Sequence, residues 1–131
     1  MILTWKELIK KAKSEIREIS AADLHTKLKN GAPILMIDVR EHDEFRQGHL
    51  PGAIFIPRGF LELRIESTAP DRNQEICLCC GGGNRSALAA RSLQEMGYSQ
   101  VYSLKGGITQ WTKEGKPIEF PREPDIDPQL T

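Results

Sequence analysis

Four short apolar runs constrain the fold of this chain more than any other feature of the sequence. They occupy residues 34–39, 53–56, 76–79 and 101–104. The first run lacks polar alternation and the others are similar, a pattern typical of strands covered on both faces, as in a parallel sheet. Helical patterns follow the four runs in turn, at residues 41–46, 60–66, 85–96 and 108–114. This alternation predicts a doubly wound α/β sheet.

Two helix start signals precede the first apolar run. Thr4 and Glu7 have the spacing of a capping box, and apolar residues follow at helical spacing. The sequence therefore predicts an amphipathic helix over residues 4–15. Ser20 and Asp23 form a weaker version of the same signal and predict a second, short helix.

Composition excludes several functional classes. With 131 residues, 39% of them hydrophobic, the chain can bury the core of one domain without disulfides. Its 18 lysines and arginines balance 18 aspartates and glutamates, so we expect neither nucleic acid nor membrane as a partner. Residues 1–20 contain no apolar run long enough for a signal peptide or a membrane span, which favours a cytoplasmic location. Three crowded cysteines, at positions 77, 79 and 80, fit a reducing compartment better than a disulfide framework.

The segment from Cys80 to Ser86 carries the candidate site. It joins the end of a predicted buried strand to a predicted helix, the place where ligands bind in open α/β sheets. The glycine triplet Gly81, Gly82 and Gly83 allows positive φ angles, which can turn main-chain N–H groups inward as an anion-binding nest. The helix N-terminus behind it and the charge of Arg85 add positive potential. These surroundings stabilise a thiolate at Cys80.

An ionised Cys80 can attack the outer sulfur of a donor such as thiosulfate and hold that sulfur as a persulfide. Arg85 would hold the anionic donor, while Gly81, Gly82, Gly83, Asn84 and Ser86 would form the cradle around it. A thiophile such as cyanide or a thiol would then remove the sulfur, in a two-step double displacement. The same segment also fits a tight turn beside small buried residues, and that interpretation stays open.

Other chemistries fit the segment less well. Ser86 replaces the third glycine of a dinucleotide-binding fingerprint, and no Gly-Lys-Ser/Thr of a P-loop is present. Cys77 and Cys80 have the spacing of Cys-x-x-Cys, but His49 is the only histidine whose expected place makes it a candidate fourth ligand, so we expect neither a metal nor a cofactor. Cys77 and Cys79 share one face of a strand by its period of two, which predicts that both are packed beneath the sheet.

Three motifs in order resemble the rhodanese family. They are IDVR at residues 37–40, with EF at 44–45 and GHLPGA at 48–53; CGGGNRS at 80–86; and GGI at 106–108 with Trp111. The resemblance implies a five-stranded parallel sheet flanked by helices, a catalytic cysteine that starts a six-residue loop, and sulfur transfer through a persulfide. Carried over to this chain, it makes Cys80 the nucleophile and residues 81–85 the cradle. Asp38 and Arg40 would support the fold.

The resemblance also divides the chain. We expect an accessory amphipathic helix at residues 1–15, a rhodanese-like domain at 16–118 and a proline-rich acidic tail at 119–131. The prolines of the tail predict an extended or disordered segment. His49 is predicted to be hydrogen-bonded in a turn, and Trp111 to pack in the core.

The expected partners are a small sulfur donor and a thiophilic acceptor, namely cyanide, a thiol or a protein cysteine. In the family, the residue after the cysteine is often arginine in members that use thiosulfate, whereas Gly81 resembles members that use mercaptopyruvate. Arg85 favours an inorganic anion, so thiosulfate is the donor that we predict.

Two other functions compete with sulfur transfer. Related phosphatases also use a cysteine, a nest and an arginine, but their loop is one residue longer, whereas four residues separate Cys80 from Arg85. Rhodanese-like docking modules usually lack the cysteine that this chain keeps. The helix predicted at residues 4–15 adds a further expectation, self-association into a homodimer through residues 1–15.

Overall fold

A parallel sheet of five strands forms the centre of the computed structural model, which describes residues 2–121. The strands are β1 Arg17–Ile19, β2 Leu35–Asp38, β3 Ile54–Phe55, β4 Glu75–Cys79 and β5 Gln100–Leu104. Their order across the sheet is β1-β5-β4-β2-β3, with every neighbouring pair parallel. This confirms the predicted fold class. The apolar runs predicted β2 to β5 but not β1, which has three residues and buries Ile19 alone.

Within residues 2–121, six helices surround the sheet, close to the predicted positions. They are α1 Trp5–Glu15, α2 Ala21–Lys29, α3 His42–Arg46, α4 Leu61–Thr68, α5 Asn84–Glu95 and α6 Gly107–Lys113. A 3₁₀ turn at Arg58–Phe60 leads into α4. The predicted capping box opens α1, because Thr4 Oγ1 accepts the Glu7 N–H while the Glu7 carboxylate accepts the Thr4 N–H. Ser20 Oγ caps α2 by accepting the Asp23 N–H.

Two apolar clusters cover the two faces of the sheet, and β4 contributes to both. Ile76 and Leu78 belong to a cluster that contains buried apolar residues of α4 and α5. Cys77 and Cys79 point the other way, into a cluster with Leu24 of α2 and Trp111 of α6. The predicted packing of these two cysteines beneath the sheet is therefore confirmed.

Helix α1 packs against α5 outside the central layers. It buries Ile9 and Ala12, while Trp5 and the preceding Ile2 are exposed. The apolar face of α1 is thus covered within the chain, and self-association through residues 1–15 stays a prediction. Among residues 2–121, none of the helices combines the length and the apolar character that crossing a bilayer requires.

The described part of the tail contacts the domain. Main-chain N–H and C=O groups of His49 and Glu119 form two hydrogen bonds of 2.8 Å, and the Glu119 carboxylate accepts the Gly52 N–H. His49 is hydrogen-bonded, as predicted, with Nδ1 2.8 Å from the Leu50 carbonyl oxygen, but it lies in an isolated antiparallel bridge to Glu119 and not in the turn at residues 51–52. Its ring stacks on Phe45 with centroids 4.2 Å apart. The prediction for residues 122–131 lies outside the described residues.

Trp111 lies in the core, as predicted. Its side chain is fully buried, and its indole N–H donates to the Pro117 carbonyl oxygen at 2.7 Å. This bond anchors the chain after α6 and satisfies the one polar atom of a large apolar ring.

Asp38 and Arg40 form a buried ion pair at the end of β2. The guanidinium donates Nε to Oδ1 at 3.0 Å and Nη2 to Oδ2 at 2.8 Å, and Nη2 also donates to the Gly48 carbonyl oxygen at 2.7 Å. The Arg40 N–H adds a further bond to Oδ1. This pair ties the end of β2 to the turn before Leu50, the structural role that the resemblance implied.

Arg40→Ala should lower the free energy of unfolding by about 3–5 kcal/mol, because it leaves the Asp38 carboxylate buried without its partner. Urea denaturation followed by circular dichroism measures the change. Arg46→Ala, which truncates an exposed arginine on α3, is the control and should stay within about 0.5 kcal/mol of wild type. Equal stability of the two variants would contradict a structural role for the pair.

Candidate active site

Cys80 follows directly after β4, at the carboxyl edge of the sheet, and is 1% exposed. Its Sγ accepts the main-chain N–H groups of Gly83 at 3.1 Å and Ser86 at 3.3 Å. The thiol lies 3.4 Å from Ser86 Oγ, which is in turn 2.7 Å from Ser103 Oγ. Two main-chain donors and a buried hydroxyl therefore converge on the sulfur atom.

The anion-binding nest around Cys80 differs from the expected one in its backbone angles and in the N–H groups that face the sulfur. Of the three glycines, Gly83 alone has a positive φ, 100°, and it is the N-cap of α5. In the described structure, the N–H groups of Gly81 and Gly82 donate to no other residue. Two donors thus hold the sulfur, and two further donors on the loop are free to bind an anion. Asn84 is exposed at the first position of α5.

The first turn of α6 holds the other side of the loop. The N–H of Ile108 donates to the Cys80 carbonyl oxygen at 2.9 Å, and the N–H of Thr109 donates to the Gly81 carbonyl oxygen at 3.0 Å. Because a trans peptide directs its N–H opposite to its C=O, these bonds turn the N–H groups of Gly81 and Gly82 away from α6.

Gly107 makes this contact possible. It has a φ of 59°, and a Cβ at this position would overlap the carbonyl oxygens of Cys80 and Gly81. Gly106 also lies close to the loop, since a Cβ at Gly83 would be 3.2 Å from the main-chain nitrogen of Gly106. The third motif, GGI, therefore forms the wall of the candidate site, a role that the sequence did not indicate.

Arg85 forms an ion pair with Glu44 of α3 at the rim of the loop. Nη1 lies 2.7 Å from Oε1, and Nη2 lies 3.0 Å from Oε2. The hydrogen bond from Arg85, opposed by burial, lowers the pKa of Glu44 to about 2. The pair therefore stays ionised at neutral pH. A Cβ at Gly81 would lie 3.1 Å from Arg85 Nη2, so the guanidinium lies beside the nest.

Sequence reasoning predicted Arg85 but missed Glu44. The signal was present, because Glu44 belongs to the first motif, but nothing in the sequence paired it with the loop. Two of the five N–H donors of the guanidinium bind Glu44, which leaves three for a ligand.

The two remaining cysteines differ from Cys80 in their surroundings. Burial raises the pKa of Cys77 to about 12, and the same cause raises the pKa of Cys79 well above its usual range. Neither side chain ionises near neutral pH. Cys80 is thus the cysteine with main-chain donors directed at its sulfur. In residues 2–121, no cluster of three His, Cys, Asp or Glu side chains is arranged to hold a metal ion.

The sequence model of one protein family, the rhodanese-like domain, matches residues 20–114 of the chain. This chain belongs to the rhodanese-like family. A protein named sulfurtransferase from Allochromatium vinosum is 32% identical over 106 residues, which cover 81% of this chain and 97% of that protein.

Two solved structures share the rhodanese-like fold. The structure of a thiosulfate sulfurtransferase from Pseudomonas aeruginosa superposes with a TM-score of 0.78 and 28% identity, over 86% of this chain and 22% of that one. A protein of unknown function from Rhodopseudomonas palustris, described as a possible tyrosine phosphatase, superposes with a TM-score of 0.81 and 32% identity. That alignment covers 91% of this chain and 96% of the other.

Gly107→Ala should lower the free energy of unfolding by about 3 kcal/mol, since the new methyl group must displace the loop that carries Cys80. The amide resonances of Gly83 and Ser86 should shift in an NMR spectrum of the variant. Gly115→Ala is the matched control, because Gly115 also has a positive φ, 75°, but a Cβ added there would have no atom within 4 Å. This control should lower the free energy of unfolding by about 1 kcal/mol and leave the amide resonances of Gly83 and Ser86 in place.

If Gly107→Ala leaves the resonances of Gly83 and Ser86 unchanged, the contact with α6 does not position the loop.

Proposed function

We propose that this chain is a sulfurtransferase that takes sulfane sulfur from an anionic donor, thiosulfate, and carries it as a persulfide on Cys80. The observation that carries the proposal is the convergence of the Gly83 and Ser86 N–H groups on Sγ. Membership of the rhodanese-like family and the relative named sulfurtransferase support transfer of sulfur in general. The free cysteines fit the predicted cytoplasmic location.

The first half-reaction loads the sulfur. The Cys80 thiolate attacks the outer sulfur of thiosulfate, the S–S bond of the donor breaks, and sulfite leaves with the electron pair. The N–H groups that hold Sγ in the resting protein stabilise the negative charge of the sulfur during this step. The free N–H groups of Gly81 and Gly82 are available to the transferred sulfur.

The second half-reaction removes the sulfur. A thiophilic acceptor attacks the outer sulfur of the persulfide, the Cys80 S–S bond breaks, and the electron pair returns to Cys80 as a thiolate. Cys80 Sγ lies 3.4 Å from Ser86 Oγ, which is hydrogen-bonded to Ser103 Oγ. This hydroxyl pair can accept a hydrogen bond from the thiol and donate one to the thiolate.

Arg85 positions the anionic donor in this proposal. Its guanidinium lies beside Gly81, is oriented by Glu44 and keeps three N–H donors for the sulfonate oxygens. The raised pKa of Arg85, caused chiefly by its hydrogen bond to Glu44, keeps it charged.

A cysteine phosphatase is the second candidate, because the neighbour from Rhodopseudomonas palustris is described as a possible tyrosine phosphatase. The length of the loop argues against this activity, since four residues separate Cys80 from Arg85 and a phosphatase loop is longer. Hydrolysis of p-nitrophenyl phosphate that disappears in Cys80→Ser, without a detectable persulfide, would favour the phosphatase.

Intact-mass spectrometry after incubation with thiosulfate should show one added sulfur atom, lost again on addition of cyanide. Cys80→Ser should abolish the addition, because a serine hydroxyl cannot form a persulfide. Cys79→Ala is the matched control and should keep it, since Cys79 is buried on the opposite face of the sheet. Absence of the added mass in wild type with thiosulfate, mercaptopyruvate and a small persulfide would overturn the proposal.

Arg85→Ala should lower kcat/KM for thiosulfate about tenfold, the loss typical of one hydrogen bond to a charged group. Loading from an alkyl persulfide that carries no sulfonate or carboxylate, whose thiolate leaves as the outer sulfur passes to Cys80, should stay close to wild type. Arg91→Ala removes an arginine further along α5, outside the loop, and should leave both values unchanged. Unaltered thiosulfate kinetics in Arg85→Ala would rule out the assigned role.

A further inference from the structure

A cleft of about 460 Å³ lies next to the active-site loop, on the side away from Arg85 and Glu44. The loop contributes Gly82 to its wall, and the other lining residues come from three helices and the residues that flank them: Lys13, Ser20, Ala21, Lys105, Gly106, Gln110 and Glu114. Its volume is within the range of small-molecule sites, about 300–1,000 Å³. It lies at the carboxyl ends of β1 and β5, beside the end of β4, where open α/β sheets bind ligands.

Two positively charged side chains that line the cleft have no partner among residues 2–121. The side chains of Lys13 and Lys105 form no ion pair or hydrogen bond with any other described residue. Glu114, the acidic residue of the lining, is already engaged by Lys116 Nζ and Gln110 Nε2, both at 2.8 Å. The cleft therefore has an excess of positive charge on a protein whose net charge is zero.

One main-chain feature adds to this charge. The N-terminus of α2, a helix of nine residues, reaches the cleft at Ser20 and Ala21. The donors come from separate segments of the chain, so they can bind more than one anionic group of the same ligand.

We propose that this cleft binds the carboxylates of the sulfur acceptor, and that the acceptor is a small thiol with at least two carboxylates. This inference rests on the proposed function for the role of the ligand. Gly82 is two residues from Cys80, a span of at most about 7 Å, so a ligand held in the cleft can reach across the loop to the persulfide. Lys13 of α1 lies outside the matched family region, residues 20–114, so the chain's own N-terminal helix supplies part of this specificity.

The transfer itself is a thiol exchange. The thiolate of the acceptor attacks the outer sulfur of the Cys80 persulfide, the Cys80 S–S bond breaks, and Cys80 leaves as the thiolate. The acceptor departs as its own persulfide. No oxidant, reductant or further co-reactant is needed.

Calorimetric titration with S-methylglutathione tests the cleft directly, because this probe keeps both carboxylates and cannot accept sulfur. The double variant Lys13→Gln/Lys105→Gln should bind it about tenfold more weakly than wild type, as expected for the loss of two partly exposed ion pairs. Esterification of both carboxylates of the probe should weaken binding to wild type to a similar extent. The matched control is Lys10→Gln/Lys113→Gln, which changes one lysine on α1 and one on α6 outside the cleft and should bind like wild type.

Kinetics give a second measurement. With glutathione as acceptor, KM should rise about tenfold in Lys13→Gln/Lys105→Gln, whereas the values for cyanide and for loading by thiosulfate should stay within about twofold of wild type. A weaker loading by thiosulfate with unchanged glutathione kinetics would assign the cleft to the donor and overturn the proposal. So would equal binding of S-methylglutathione by wild type and the double variant.

Failure of the proposed function has a different signature. In that case no persulfide forms on Cys80 with any donor, yet binding of S-methylglutathione still depends on Lys13 and Lys105. That outcome supports an anion-binding cleft and removes the sulfur acceptor as its ligand.

Discussion

The close approach between the backbone of the Cys80 loop and the backbone at the start of α6 determines the geometry of the candidate site. The first turn of α6 donates N–H groups to the carbonyl oxygens of Cys80 and Gly81, and only a residue without a side chain fits at Gly107. With those carbonyls bound, the peptide groups of the loop have one orientation left, and their N–H groups face away from α6. The loop is thus preorganised by main-chain hydrogen bonds rather than by its own side chains, which are largely absent.

The alternation of β4 explains why three neighbouring cysteines differ in their chemistry. Cys77 and Cys79 point into the cluster between the sheet and α2 and α6, where burial keeps them protonated. Cys80 is one residue further along, so it points to the opposite face, at the start of the loop that joins β4 to α5. A shift of one residue in the register of β4 would place a different cysteine beside the nest.

Much of the fold was predictable because it depends on local patterns. The apolar runs predicted four strands, and the capping signals at Thr4 and Ser20 predicted the first two helices. Strand β1 was not predictable from its pattern, because an edge strand of three residues with one buried side chain carries almost no periodicity. The pairing of Arg85 with Glu44 was missed for a different reason. It joins residues 41 positions apart, and a charged residue on an amphipathic helix has many potential partners in a sequence.

The placement of charge around the loop follows from that missed ion pair. Glu44 neutralises much of the field of Arg85 on one side of Cys80, so the guanidinium acts there by directed hydrogen bonds more than by long-range attraction. On the other side, Lys13 and Lys105 have no counter-ion in the described chain, and their field extends into the cleft. An anionic ligand is therefore drawn first toward the side of α1 and α6, whereas a compact anion that needs oriented donors fits beside Arg85. A double displacement needs two ligands in succession at one sulfur, and this asymmetry lets the loop receive them from different sides.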